Sequence, residues 1–450
     1  MPFNSNNSFQ GVGDHCLGAG GKFSASPLVS LAEAVAAPGA QPAGASTLRT
    51  LTLAEAQRIA FQRNWDLLAA RSDVDMATAQ KIVARQFPNP ALSVSTEQLN
   101  LDRHPNSTAS GNGLWDRSYD TTFAVGQLFE IGGKRQSRKD SAQAGFRGAQ
   151  ARLEDARRVL NQAVSKSYID ALLAQTNVTI LSDSAKALRQ EAQIAETRLK
   201  AGDISKAEKN QIEIAAERLE MQAQAAEASA NASRITVEVL LGEPHPTGKW
   251  APGDTLDSLA GQSTLAGQAT PGALRPDLAA AEAAEARADA ELRLQKALRV
   301  PDPTLFIQYE HEPPDLPNSV GLGVSFPLPL WNRNRGGIAF AKAAQEQARL
   351  QAQKVQAAIR AEVASARIAY ADASARWERH RTKLQPKSGD VRQTVSFAYE
   401  KGGASLLDLL SAQRTDNEIR LATAQAAAET ARAAADLKAA LNVGNDSPEK

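Results

Sequence analysis

Cysteine is nearly missing from this chain of 450 residues, and the lone Cys16 can neither close an intrachain disulfide nor build a cysteine-rich metal cluster. It stands after Gly13-Asp14-His15, without the small apolar residues that precede a lipidated cysteine, so no lipid anchor is expected there. Histidine is scarce as well. His15, His104, His245, His311 and His380 are scattered, with no pair at helical ligand spacing, so neither a metal site nor a cofactor is expected. An excess of one charge is also absent. The 51 Lys and Arg against 50 Asp and Glu leave a formal +1, without the basic footprint of a nucleic-acid partner. No run approaches the ~18 consecutive apolar residues of a membrane-spanning helix. That absence leaves a membrane β-barrel open, because its strands need only ~9–11 residues of alternating polarity. Gly-rich phosphate loops, nucleophile elbows and HExxH are missing too, which speaks against an enzyme.

The N-terminus lacks the basic region and the full apolar core of an export signal. Residues 1–25 are rich in Asn, Gly and Ser and read as disordered. Ser26 to Ala37 has small residues in an A-x-A pattern, interrupted by Glu33. Residues 1–50 are therefore expected to be a disordered or export-related segment.

What is present is a duplication. A first copy runs from 51 to 242 and a second from 274 to 444, joined by a Pro- and Gly-rich linker (243–273) and followed by a tail (445–450). Landmarks recur in order. Asp66-Leu67 and Asp277-Leu278 each open a helical run. Pro88-Asn89-Pro90 and Pro301-Asp302-Pro303 each end one, since proline removes a donor and disfavours helix before it. The stretch from Arg198 through Gly202 to Ser205 matches that from Ala398 through Gly402 to Ser405.

Each copy reads as helix, strand, strand, long helix, turn, helix. Leu92 and Val94 oppose Ser93, Ser95 and Glu97. Tyr119, Phe123, Val125 and Phe129 oppose Asp120, Thr122, Ala124 and Gly126. In the second copy Leu305, Ile307 and Tyr309 oppose Thr304, Gln308 and Glu310, with Phe306 breaking the pattern. Val320, Leu322, Val324 and Phe326 oppose Ser319, Gly321, Gly323 and Ser325. The plain alternative is two amphipathic hairpins packed on a soluble core. The runs from Gly133 to Leu199 and from Asn332 to Tyr399 argue against it, because at 1.5 Å per residue each spans on the order of 100 Å. Gly145 and Gly148 are expected to weaken the first run, and Pro386 and Gly389 to kink the second. Four strands cannot close a barrel, and an open edge in a membrane is not tolerated, so strands from other subunits are expected.

At this point the sequence resembles the TolC-type outer membrane factors, over about residues 51–444. The duplicated grammar carries the resemblance. So does the motif Tyr399-x-x-Gly402-x-x-Ser405-x-x-Asp408-x-Leu410-x-Ala412-Gln413. Gln127 to Arg135 (QLFEIGGKR) is similar to the heavy-metal branch typified by CzcC. The resemblance implies a mixed fold, an α-helical barrel plus a twelve-stranded outer-membrane β-barrel shared by a homotrimer and bathed in outer membrane lipid. It implies a periplasmic adaptor and an inner-membrane pump of the resistance-nodulation-division (RND) class as partners, with divalent metal cations as cargo. The loops 100–118 and 312–318 would be extracellular, and the turns at Gly202, Ser205, Gly402 and Ser405 would be the periplasmic tips. It further implies a gate formed by Glu208, Tyr399 and Asp408, with the carboxylates about two turns into their helices and Tyr399 donating to Glu208. Two positions depart from the family pattern, Ala404 where an arginine is usual and Ser411 where a second lumen aspartate is usual. The competing reading of the two acids is ordinary first-turn helix residues. The competing reading of the whole chain is a long coiled-coil periplasmic adaptor or interaction protein, which explains the helices but not the strand pairs.

Overall fold

The structure, a computed structural model, describes residues 49–97, 120–262, 275–312 and 316–443. Most of the segment 1–50, the expected loop 100–118, Tyr119, part of the linker and the tail lie outside the described residues, whereas Arg49 and Thr50 are in a strand. The first copy contains β1 (Arg49–Leu51), α1 (Leu53–Arg63), α2 (Trp65–Arg85), β2 (Ala91–Glu97), β3 (Asp120–Leu128), α3 (Lys134–Ala201) and α4 (Lys206–Leu240). The linker adds β4 (Trp250–Pro252) and α5 (Leu256–Gln262). The second copy contains α6 (Pro276–Ala297), β5 (Thr304–Glu312), β6 (Leu316–Ser325), α7 (Arg335–Arg379), α8 (Gln385–Glu400) and α9 (Leu406–Leu441).

The helical run that Asp66-Leu67 opens is α2, and a separate helix, α1, precedes it. Asn64 leaves the helix at φ −61° and ψ 129°, and its Oδ1 accepts the Leu67 N–H at 3.1 Å as the cap of α2. Its Nδ2 donates to Leu240 O at 3.0 Å and so ties this break to the end of α4. Gly242 closes the same contact at φ +76°, and a Cβ there would lie 2.3 Å from Arg63 O, so only glycine fits.

The linker is more than a spacer. Its β4 pairs in parallel with β1, and Trp250 stacks on Tyr168 of α3 with ring centroids 5.9 Å apart. The Tyr168 hydroxyl lies 2.8 Å from Leu51 O and 2.9 Å from Asp254 Oδ2, joining both chain segments to the long helix. Burial and the neighbouring Asp254 carboxylate push this phenol's pKa well up, so it stays a donor.

In α3, 68 residues run without a break, on the order of 100 Å. Gly145 and Gly148 do not interrupt it; they face Arg287 and Ala283 of α6, where a small residue lets the helices approach. Where the second run is expected to kink, it widens into a π-helical turn at His380–Leu384, between α7 and α8. Pro386 explains it: the proline ring cannot sit against the carbonyl four residues back, and widening the preceding turn relieves the clash.

The four longer strands form one antiparallel sheet in the order β2-β3-β5-β6. Its register places Leu92, Val125, Ile307 and Leu322 in one row across the sheet, and Val94, Phe123, Tyr309 and Val320 in the next. The apolar residues of both copies therefore share a single face, and they are exposed, Leu322 by 81%. The opposite face carries Ser93, Ala124, Gln308 and Gly321, then Ser95, Thr122, Glu310 and Ser319. Phe306, the one breach of the alternation, lies on this polar face between Gly126 and Gly323. A Cβ at Gly323 would come 2.2 Å from the Phe306 ring, so the ring fills the space that the glycine leaves empty. Strand β5 continues to Glu312 and pairs with Leu316, so the connection expected over 312–318 is shorter, 313–315. Among the described residues, β2 and β6 are paired on one side only. No helix there is long and apolar enough to cross a membrane.

Candidate functional site

The α3–α4 and α8–α9 turns are built alike. Gly202 and Gly402 take the left-handed conformation at φ +84° and +77°. This reverses the chain so that Asp203 N–H reaches Arg198 O at 2.9 Å and Gly403 N–H reaches Ala398 O at 2.8 Å, which satisfies the last carbonyls of α3 and α8. Three residues on, Ser205 and Ser405 are extended and cap the next helix. The Glu208 N–H donates to Ser205 Oγ and the Asp408 N–H to Ser405 Oγ, each at 3.2 Å. In return the Ser205 N–H donates to Glu208 Oε2 at 2.8 Å and the Ser405 N–H to Asp408 Oδ2 at 3.1 Å. Both turns thus end in a capping box.

These bonds relocate the two acids. Glu208 and Asp408 sit in the first turn of α4 and α9 rather than two turns in, because each is the third helical residue after its serine cap. Crowded carboxylates would be expected to have raised pKa values, but within this chain both are lowered. For Glu208 the Ser205 N–H and then its hydroxyl stabilise the anion; for Asp408 the Ser405 hydroxyl and then its N–H do so. Both carboxylates remain exposed to solvent.

Tyr399 is 4% exposed and packs in a small core with Ala192, Ala195, Ile212, Leu406 and Leu409. Among the described residues its hydroxyl has no hydrogen-bond partner, so the expected bond to Glu208 is not formed within one chain. Burial pushes this phenol's pKa up; Arg198 opposes the shift, and Glu208 and Glu191 add to it. The Arg198 guanidinium lies over the ring, 5.1 Å from its centroid, and donates to Tyr399 O at 3.3 Å. The structure therefore gathers Glu208, Arg198 and Tyr399 at the tip, whereas the shift of Asp408 traces to Ser405 alone. An arginine does reach the tyrosine, but from α3 rather than from the position of Ala404.

Other residues that position the tip were missed. Asp416 on α9 is buried beneath α8, where it accepts from Ser388 Oγ at 2.8 Å and lies 3.1 Å from Arg392 Nε. Next to it Asn417 accepts from Ser184 of α3. Glu191 of α3 accepts from Ser396 of α8 at 3.0 Å. Burial holds the Glu191 carboxyl above its usual range, against the opposing Ser396 bond. Arg189 joins α3 to Glu217 and Glu220 of α4 at 3.0 and 2.7 Å. The one available signal was the polar spacing Gln413, Asp416, Asn417 on a helix whose other faces are rich in alanine.

At the other end of the long helices, the Gln127 to Arg135 motif forms the strand-to-helix junction. Gly132 and Gly133 turn at positive φ. Buried Lys134 pairs with Asp302 at 2.7 Å and donates to Val300 O at 2.5 Å. Arg135 donates to Arg85 O and lies 3.8 Å over the Phe87 ring, and Arg138 pairs with Glu130. The motif binds the two copies together at the base of the sheet. Among the described residues no three His, Cys, Asp or Glu side chains gather to hold a metal ion.

Comparison with known proteins matches this architecture. The family described as outer membrane efflux protein covers residues 57–243 and 272–443. The cobalt-zinc-cadmium resistance protein CzcC of Cupriavidus metallidurans is 26% identical over 382 residues, spanning 82% of this chain and 85% of CzcC. The solved structure of CusC superposes with a TM-score of 0.72 at 18% identity, over 90% of this chain and 95% of that one. The open state of the Neisseria gonorrhoeae outer membrane channel MtrE superposes with a TM-score of 0.69 at 21% identity, over 89% of this chain and 94% of that one.

Proposed function

Since the chain belongs to the outer membrane efflux protein family, and is an outer-membrane efflux channel of the CzcC and CusC type, we propose that three copies form one passive duct from the periplasm to the exterior. The observation that carries this reading is the sheet. It has four strands, one apolar face and two outer edges that are unpaired among the described residues. An open edge in lipid leaves backbone groups without partners, and three such sheets joined edge to edge remove every one of them. The long helices then continue the tube on the periplasmic side, where a periplasmic adaptor and an RND pump deliver the cargo. The family match over both copies displaces the adaptor reading of the chain. The cargo class follows from the relative whose name is cobalt-zinc-cadmium resistance protein. Deleting the protein is expected to raise intracellular cobalt, zinc or cadmium and sensitivity to them, measured by elemental analysis and growth inhibition. Accumulation of organic compounds alone would remove the metal assignment and leave the channel.

The tips carry the gate in this reading. Glu208 and Asp408 of three subunits place six carboxylates at the narrow end, and each carboxylate has one oxygen outside its capping box. Both pKa values are lowered, so the anionic state is fully populated at neutral pH and is lost only as pH falls below the usual carboxylate range. Cation preference and divalent block in planar bilayers should therefore persist through mildly acidic pH. They should fall in a Glu208→Ala, Asp408→Ala double variant, and Tyr399→Phe should alter open probability without altering selectivity. Unchanged selectivity and block in the double variant would return both acids to helix capping alone.

A further inference from the structure

The base of the sheet carries a feature that a passive tube does not require. All four strands end there together, as the pairs Ala91 with Gly126, Leu128 with Thr304, and Thr304 with Ser325 show. Beyond the ends, the chain exposes Phe87, Phe129, Phe326, Leu328, Leu330 and Trp331, the last by 93%. Phe129 and Phe326 fall in step with the apolar face, two residues on from Gln127 and Val324. Just past Trp331, Arg333 and Arg335 are exposed, and among the described residues their side chains have neither an ion pair nor a hydrogen bond. From Leu316 to Gln345 there is no Asp or Glu at all, and the charged residues are Arg333, Arg335 and Lys342. Helix α7 starts at this point with no side-chain cap, so its first amides add partial positive charge.

We propose that this collar is a binding surface for anionic phospholipid in the leaflet at the helix end of the barrel, with Phe326 to Trp331 in the upper acyl region and Arg333 and Arg335 on the lipid phosphates. The inference rests on the apolar face of the sheet being the lipid face. Trp331 suits the boundary because an indole has a large apolar body and one N–H for the wet side. The arginines suit a phosphate because each offers a planar fork of donors, and near an anionic surface each basic residue raises binding about fivefold. A leaflet is favoured over a free anion by the continuity of the collar with the apolar rows above it. An ordinary anion pocket would not be rimmed by six large exposed apolar side chains.

The test uses the full chain in phosphatidylcholine vesicles with and without phosphatidylglycerol. Phosphatidylcholine brominated near the glycerol should quench a tryptophan component that Trp331→Phe removes. Phosphatidylglycerol retained on the purified protein, counted by mass spectrometry, should fall roughly twentyfold in an Arg333→Gln, Arg335→Gln variant, at about fivefold per arginine. Phosphatidylcholine retention should stay unchanged, and excess inorganic phosphate should not displace the lipid. Equal retention in wild type and variant, or displacement by inorganic phosphate, overturns the proposal. A fluorophore on Leu322→Cys separates the two readings. If brominated acyl chains quench it while the arginine variant keeps its lipid, only this inference fails. If it is not quenched, the lipid-facing sheet itself fails.

Discussion

Val94→Arg and Leu322→Arg are each expected to abolish recovery of the protein from the outer membrane as a stable oligomer. Val94 lies in the row shared by Phe123, Tyr309 and Val320, and Leu322 in the row shared by Leu92, Val125 and Ile307. Both rows belong to the exposed apolar face, and an arginine at the membrane midplane costs roughly 2–4 kcal/mol. Three subunits repeat that cost in a trimer. Ser93→Arg and Ser319→Arg are the controls, because their side chains point to the polar face and a long cation there remains in water. Membrane fractionation and the heat-modifiable oligomer band on gels report the result. Wild-type assembly in Val94→Arg and Leu322→Arg, with failure in the serine variants, would invert the facing of the sheet.

The alternation that supports this prediction was readable because a strand has a period of two, and a single misplaced residue such as Phe306 did not hide it. Strand order was not readable. Each copy supplies an adjacent strand pair, but that β3 of the first copy joins β5 of the second depends on contacts 176 to 190 residues apart in sequence, for which a lone sequence has no signal. The long helices were legible from composition; the chemistry of proline pointed to an irregularity near Pro386, but not to its form as a π-helical turn. The start of a helical run at Asp66-Leu67 was legible, but the cap at Asn64 that sets it off from α1 was not. Its signal was a capping residue whose side chain takes the Leu67 N–H.

At the tips, the turns were legible and the chemistry was only half so. Gly202 and Gly402 announce helix ends, and serine followed three residues later by an acid announces a capping box. The same spacing therefore fits a gate acid and a capping acid equally well, and the geometry shows the cap. Arg198 was hidden because its contact with Tyr399 is between elements: the guanidinium crosses from α3 to α8, two hundred residues away in the chain. The linker strand β4 was hidden for a different reason. Three residues bounded by proline and glycine carry too little pattern to read, and what fixes them is Trp250 stacking on Tyr168.

Asp416→Ala is expected to loosen α8 from α9 by about 2–3 kcal/mol, the largest effect of any single polar substitution near the tip. Asp416 is 3% exposed, and both of its partners, Ser388 and Arg392, lie on α8 just beyond the π-helical turn. That turn already interrupts the regular hydrogen bonding between α7 and α8, so side-chain contacts must hold α8 in place. Removing the carboxylate leaves the buried Ser388 hydroxyl with only Gln385 O as acceptor, and leaves Arg392 without its counter-ion. Arg392 is about one-third exposed and can turn to water, which keeps the loss below that of a fully buried pair. Asp416→Asn retains an acceptor for Ser388 and should cost about half as much. Hydrogen exchange read by mass spectrometry should show protection of 385–400 falling roughly 30- to 160-fold in Asp416→Ala. The sheet and the first half of α3 should remain as protected as before. Because α8 carries Tyr399 and leads into the Gly402 turn, the same variant should raise channel open probability if tip position sets the gate. Unchanged protection of 385–400 would mean that the core around Tyr399, Leu406 and Leu409 suffices to hold α8, and that Asp416 fixes only the register of α9 against it.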